Sequence, residues 1–110
     1  MLQNLTLNEH WFDADGNPSG GVTQAPGLTI SWQNGPLGRG IERQEPNGAF
    51  VEGVIQAAIG RLQFYQTANN KKFACRENAI AITKLEEALM WCEERTRRRE
   101  EREVEGTHTP

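Results

Sequence analysis

The stretch "FACRENAIAITKLEEALMW", Phe73 to Trp91, decides the fold. Ile82, Leu85, Leu89 and, just beyond, Cys92 recur at steps of three and four, with Ala81 and Ala88 widening the stripe. That spacing predicts an amphipathic helix. It starts near Arg76 to Asn78, continues through the charged run "EERTRRREEREVEGTH" to about Glu103, and stops before Gly106. A plain helical spacer has no use for the Phe-x-x-Arg-x-Asn cluster that opens it, nor for so dense a set of arginines.

Working back along the chain, "TANNKKF" is polar, Asn-rich and too short to cross over far. Ahead of it, from Ala49 to Gln66, Val51, Ile55, Ala58, Leu62 and Tyr65 again follow helical spacing, flanked by Val54 and Ile59. Asn47 is the candidate N-cap. Gly53 and Gly60 lie near one stripe of this helix, where each costs about 1 kcal/mol relative to Ala. Such glycines permit close approach of another backbone or a ligand. Two helices with a short connection form an antiparallel hairpin.

The first 47 residues are rich in Gly, Pro, Asn and Asp. Their strand signals are Val22 to Gln24 and Leu28 to Gln33, separated by "APG", with Leu28, Ile30 and Trp32 alternating against polar partners. A lone two-stranded ribbon is marginal in water, so this one needs a helix or another subunit beneath it. The expected architecture is α+β and a single domain: an N-terminal antiparallel β-ribbon region (1–47), a long antiparallel helical hairpin (48–104) and a tail (105–110).

Composition narrows the function. The chain has 110 residues, of which 36% are hydrophobic, and a mean hydropathy of −0.68, too little apolar material for a large monomeric core. Self-association would bury what one chain leaves exposed. A net charge of −3 and a pI near 5.4 argue against binding DNA, where a basic domain is expected. No apolar run approaches the roughly 20 residues needed to cross a bilayer, and no apolar leader follows Met1. A soluble, cytoplasmic protein is expected. Cys75 and Cys92 lack zinc-ligand spacing and read as a loop residue and a helix-packing residue rather than a disulfide.

"DADGNPSGG", Asp13 to Gly21, invites comparison with a calcium loop, but Pro18 and Gln24 stand at the positions that require Gly and Glu. It reads as an Asp/Asn/Gly turn. "NGPLGRG", Asn34 to Gly40, lacks the phosphate-loop pattern. Two readings stay open: a flexible turn, or a loop whose amides and Arg39 meet a ligand or a neighbouring subunit. Arg95, Arg99 and Arg102 share one helical side, and Arg98 pairs with Arg102 at i, i+4. Glu100, Glu101 and Glu103 can neutralise several of them, and alternating charge on a helix is commonly a solvated face. Phe73 and Arg99 are 26 residues apart, roughly 39 Å along a helix at 1.5 Å per residue. They therefore serve separate functions, or symmetric subunits bring different chains' residues together. His10 and His108 lie near opposite ends, and no Ser or Cys has an activating neighbour, so catalysis finds no support.

With "TISWQNGPLGRG", "PNGAFVEGVI", "RLQFYQ", "FACRENAIAITKLEEALMW" and "VEGTH" in order, the chain resembles the phage Thoeris anti-defence family. That family shares a helical hairpin domain with phage anti-CBASS sponges. The resemblance implies a non-enzymatic sponge, without a cofactor, acting in the cytoplasm of the infected bacterium. Its implied ligands are glycocyclic ADP-ribose and related cyclic ADP-ribose isomers, with cyclic di- or trinucleotides in distinct sites. It also implies homo-oligomers, including hexamers, with pockets at subunit contacts. On that footing Phe73 stacks on a base, Arg76 and Asn78 contact the ligand near the helix start, and Arg95 and Arg99 grip pyrophosphate oxygens. Thr83 and Lys84 serve the second, cyclic-oligonucleotide pocket, and Arg102 with the "GTH" tail and His108 closes over the first. The run Arg97 to Arg99 leaves the arginine register open, and Glu103 stands where a helix-ending Gly is expected, extending the last turn. The rival readings are a helical module that inhibits a partner protein, an enzyme that degrades the nucleotide and, more distantly, a nucleic-acid-binding coiled coil.

Overall fold

The computed structural model describes residues 4–102 and 106–110. It contains β1 (Leu7–Phe12), β2 (Pro18–Ala25), β3 (Leu28–Trp32), a 3-10 turn (Gly40–Glu42), α1 (Val51–Lys71) and α2 (Arg76–Glu101). The α+β class is as expected. Two compact units form, one from Met1–Phe50 with Arg99–Pro110, the other from Val51–Arg98.

In the first unit the ribbon has three strands, not two. The order is β1-β2-β3, antiparallel throughout, and β1 is the strand that the residue pattern does not announce. "LNEHWF" mixes Asn, Glu and His into both faces, and nearly all of it is exposed, so no alternation survives. What ties it in is polar: the Thr23 hydroxyl donates to Asn8 Oδ1 at 2.8 Å and accepts the Trp32 indole N–H at 2.8 Å. Buried Thr23 thus joins all three strands through one oxygen. The third strand supplies the support that a bare ribbon lacks.

After β3 the chain returns to lie against it. Gln33 N–H donates to Ala49 O (3.0 Å) and Ala49 N–H to Ser31 O (2.8 Å). Asn47 is not the helix cap. Its Oδ1 accepts the Asn34 amide (2.8 Å) and its Nδ2 donates to the Asn34 carbonyl (3.0 Å), while Gln33 Oε1 accepts the amides of Asn47 (2.9 Å) and Gly48 (3.2 Å). The polar pair latches the return segment, and α1 starts only at Val51. At the same end of the sheet, in the turn from β1 to β2, Asp13 Oδ1 accepts the amides of Asp15 (2.9 Å) and Asn17 (3.0 Å), the Asx turn read from its sequence. The Asn17 amide holds the Asp13 carboxyl below the usual carboxylate range.

In the second unit α1 and α2 run antiparallel. Gln66 meets Cys75 at one end and Glu52 meets Arg95 at the other. The dihedral angles leave the helical range at Ala68, and Asn69, Asn70 and Lys71 are left-handed (φ 50, 53 and 66), so "TANNKKF" breaks the helix as read. The packing seam of α1 is rotated from the expected one. Ile59 is buried, with Ile55 and Leu62 half-buried, whereas Val51, Ala58 and Tyr65 are exposed. On α2, Ile82, Leu85, Leu89 and Cys92 are half-buried, the expected stripe. Cys75 is exposed just before α2. The predicted helix end at Glu103, and the extension through it, lie outside the described residues.

A Cβ on Gly53 or Gly60 would meet nothing within 4 Å. Gly60→Ala should therefore stabilise the chain by about 1 kcal/mol, through helix propensity alone. Urea denaturation checks this, and a loss of stability instead would reveal a second copy packed on that stripe. Among the described residues no helix is long and apolar enough to cross a membrane.

Candidate functional site

The two chemistry-bearing clusters sit at the corner between the helices and around the C-terminal end of α2. At the corner, Phe73 is 55% exposed and the Lys72 ammonium lies 5.5 Å from its ring centroid. Arg76 is exposed in the first turn of α2 and Asn78 is half-buried two residues on. One turn further, the Thr83 hydroxyl donates back to Ala79 O (3.2 Å), and Lys84 lies 3.7 Å from Glu87.

The arginines divide by partner. Arg95 Nη2 donates to Glu52 Oε1 at 3.2 Å, a largely exposed pair worth roughly 0.2–1 kcal/mol. Arg97 binds Glu94 through Nε (2.9 Å) and Nη2 (2.5 Å), and Arg98 Nε adds a third bond to the same carboxylate (3.1 Å). The Arg97 hydrogen bonds, seconded by Arg98, hold the Glu94 carboxyl down to about 2 from 4.5. A lowered pKa means that the stabilisation is complete above pH 4.5 and is lost as the pH falls through about 2. An NMR titration of the Glu94 carboxyl should give a midpoint near 2 at low salt, moving up toward 4.5 in molar salt because the cluster is exposed.

In the other unit, Arg99 is half-buried and its Nη2 donates to the Thr107 carbonyl at 2.6 Å. Arg102 Nη2 donates to the Pro110 carbonyl. The tail is anchored as well by Gly38 N–H on Gly106 O (2.9 Å). A Cβ on Gly106, at φ +81, would fall 2.4 Å from Gly38 O, so the two backbones touch. This uses the Gly38 amide of "NGPLGRG" within the chain. His108 is exposed, and its charge helps to lower the Asp13 carboxyl. An open depression in this unit is lined by Pro36, Leu37, Gly38 and Ile41 with Glu42, Arg43 and Gln44, and no expected ligand residue lines it.

The structure thus brings Phe73 and Arg76 to one corner and Arg99, Arg102 and the tail to one cluster, while within the hairpin Arg95 lies at the end remote from Phe73. The residue pattern missed the Gln66 and Asn47 side chains. Both are polar residues in helical or turn sequence, where only their backbone partners disclose a role.

The hairpin, with β3, coincides with a recognised domain: the model of the Acb2/Tad1 hairpin domain matches residues 25–97. The chain belongs to the Acb2/Tad1 hairpin family. It is also similar to "Thoeris anti-defense 1" of Bacillus phage SBSphiJ7, 51% identical over 80 residues, which cover 73% of this chain and 51% of that protein. The chain spans about half the length of that curated relative. The family match takes in Phe73, Arg76, Asn78, Thr83, Lys84 and Arg95, and ends before Arg99.

Proposed function

We propose that the chain is a phage anti-defence sponge. It binds cyclic nucleotide immune signals, glycocyclic ADP-ribose first and CBASS-type cyclic oligonucleotides second, and sequesters them without cleavage. The observation that carries this reading is the family match over residues 25–97, joined to a Thoeris anti-defence relative at 51% identity. The geometry supports it. Phe73 offers an exposed ring for stacking a base, with Arg76 and Asn78 three and five residues further along the chain. Arg95 and Arg99 are each assigned to phosphate oxygens. Their present acceptors are the half-buried Glu52 carboxylate, through a single bond at 3.2 Å, and the neutral Thr107 carbonyl, and a phosphate offers the guanidinium a bidentate, charge-assisted partner. Arg102 and His108 belong to the tail that covers the ligand, and Thr83 and Lys84 to a second pocket. Exposed Trp91 (66%) and Met90 (57%) fit a homo-oligomer, a hexamer by the family resemblance, in the cytoplasm of the infected host.

Sequestration works by mass action, and a nanomolar sponge needs roughly −12 kcal/mol. Calorimetry against cyclic ADP-ribose isomers and cyclic di- and trinucleotides tests binding, and heating the complex to recover the ligand tests its fate. Nanomolar binding with a recovered ligand of unchanged mass is expected; a cleaved product would make the chain an enzyme. The exposed Met90 and Trp91 favour one second reading, a helical module that inhibits a host protein. No binding across the panel would put that reading first.

A further inference from the structure

Gln66 takes hold of Cys75 with both ends of its carboxamide. Nε2 donates to the Cys75 carbonyl at 3.1 Å, and Oε1 accepts the Cys75 amide at 2.9 Å. One side chain thereby pairs with one residue's backbone as a neighbouring strand would. Cys75 also accepts the Ala79 amide at 3.2 Å, the first bond of α2. The Gln66 carboxamide therefore sets where α2 begins and how Phe73 and Arg76 are presented.

The chain between the two residues is under strain. Asn69, Asn70 and Lys71 are three successive non-glycine residues at φ 50, 53 and 66, a region that Asn accepts singly but that a run of L-residues, Lys among them, avoids. Strain of this kind persists only where its surroundings over-determine it. Here those surroundings are two turn bonds, Lys72 N–H to Asn69 O and Ala74 N–H to Lys71 O (both 3.1 Å), and the Gln66 clamp. A solvated connector between two helices has no need of such a shape. The shape displays an aromatic ring that is 55% exposed, carries a cation over it and has an arginine three residues on, the chemistry that recognises a nucleotide.

We infer that Gln66 is a positioning residue for nucleotide recognition, fixing the Phe73 ring at the helical corner without touching the ligand itself. The inference rests on the sponge reading. Gln66→Glu is the sharpest variant, since it keeps the acceptor for the Cys75 amide but sets a carboxylate oxygen against the Cys75 carbonyl. Gln66→Met, which removes both bonds at similar length, serves should the first variant fail to fold, as judged by circular dichroism.

The experiment is a double-mutant cycle on the full chain, with the Kd of glycocyclic ADP-ribose and of a cyclic trinucleotide measured for native, Gln66→Glu, Phe73→Ala and the double variant. Phe73→Ala is expected to weaken at least one probe by about 10- to 100-fold, the usual range for a lost base stack. Gln66→Glu should weaken the same probe about tenfold, and the double variant should bind no worse than Phe73→Ala. Non-additivity of that kind means that the two residues act as one. Additive losses, or Gln66→Glu at native affinity, overturn the positioning role and leave the sponge reading standing. Native affinity for both probes in Phe73→Ala overturns the corner as a nucleotide site, and the inference with it.

Discussion

On the proposed sponge function, Arg99→Ala is expected to weaken glycocyclic ADP-ribose binding by about 100-fold while leaving the proposed homo-oligomer intact. Removing a hydrogen-bonded charge from a desolvated site costs roughly 2–5 kcal/mol, at about 1.4 kcal/mol per tenfold in Kd. Arg99 is the half-buried member of the run, and its guanidinium is already held in place by the Thr107 carbonyl, so little side-chain freedom remains to be lost on binding. Arg97→Ala is the matched control. That arginine is engaged by Glu94 through two short bonds and is exposed, so its loss should change Kd by less than about twofold. Calorimetry on both variants, with light scattering for the assembly, checks the pair. Equal losses in the two would mean a general charge effect and no specific grip. A protein-interaction module would tolerate both changes and fail instead on substitution of Leu85 or Leu89.

Gly48→Ala should strongly destabilise the sheet unit. A Cβ there would lie 2.6 Å from both the carbonyl carbon and the oxygen of Trp32 and 2.7 Å from the Gln33 nitrogen. All three atoms are backbone, so nothing flexible can give way. The return segment would have to separate from β3, losing the Gln33–Ala49 and Ala49–Ser31 bonds and the contacts of Gln33 Oε1. A loss of about 3 kcal/mol or more is expected, with a Tm drop of about 10–20 °C for a domain of this size. Differential scanning calorimetry checks it. A Tm within a few degrees of native would mean that the return segment does not lie on β3. The contrast with Gly60 is instructive, because the same substitution there should help.

How far the residues disclose this fold depends on what each element uses for adhesion. The helices were legible because Ile82, Leu85, Leu89 and Cys92 write a period, and because "TANNKKF" supplies the Asn residues that accept a left-handed backbone. The seam of α1 was read a fraction of a turn off. Ala58 and Ile59 are adjacent, both are apolar, and only packing selects Ile59. Strand β1 was invisible because its attachment runs through Asn8 and Thr23, not through an apolar face. Asn47 looked like a cap for the same reason that it is a latch: a short carboxamide near a turn satisfies whichever backbone groups lie nearest. Arg76, Asn78, Thr83, Lys84, Arg95 and Arg99 fall on α2, whereas Arg102, expected within the helix, stands just past its end at Glu101, and the supporting contacts of Gln66, Glu94 and the tail carbonyls have no local signature.

Cys75 joins a tethered backbone to an open thiol. Its amide and its carbonyl are both held by the Gln66 carboxamide, while the residue is exposed, and the other cysteine, Cys92, is half-buried on α2. A nitroxide or dye coupled there would ride on a stiff mount and disturb no packed side chain. Two such probes, on copies that associate as proposed, would turn an electron-electron dipolar spectrum into a ruler for their arrangement.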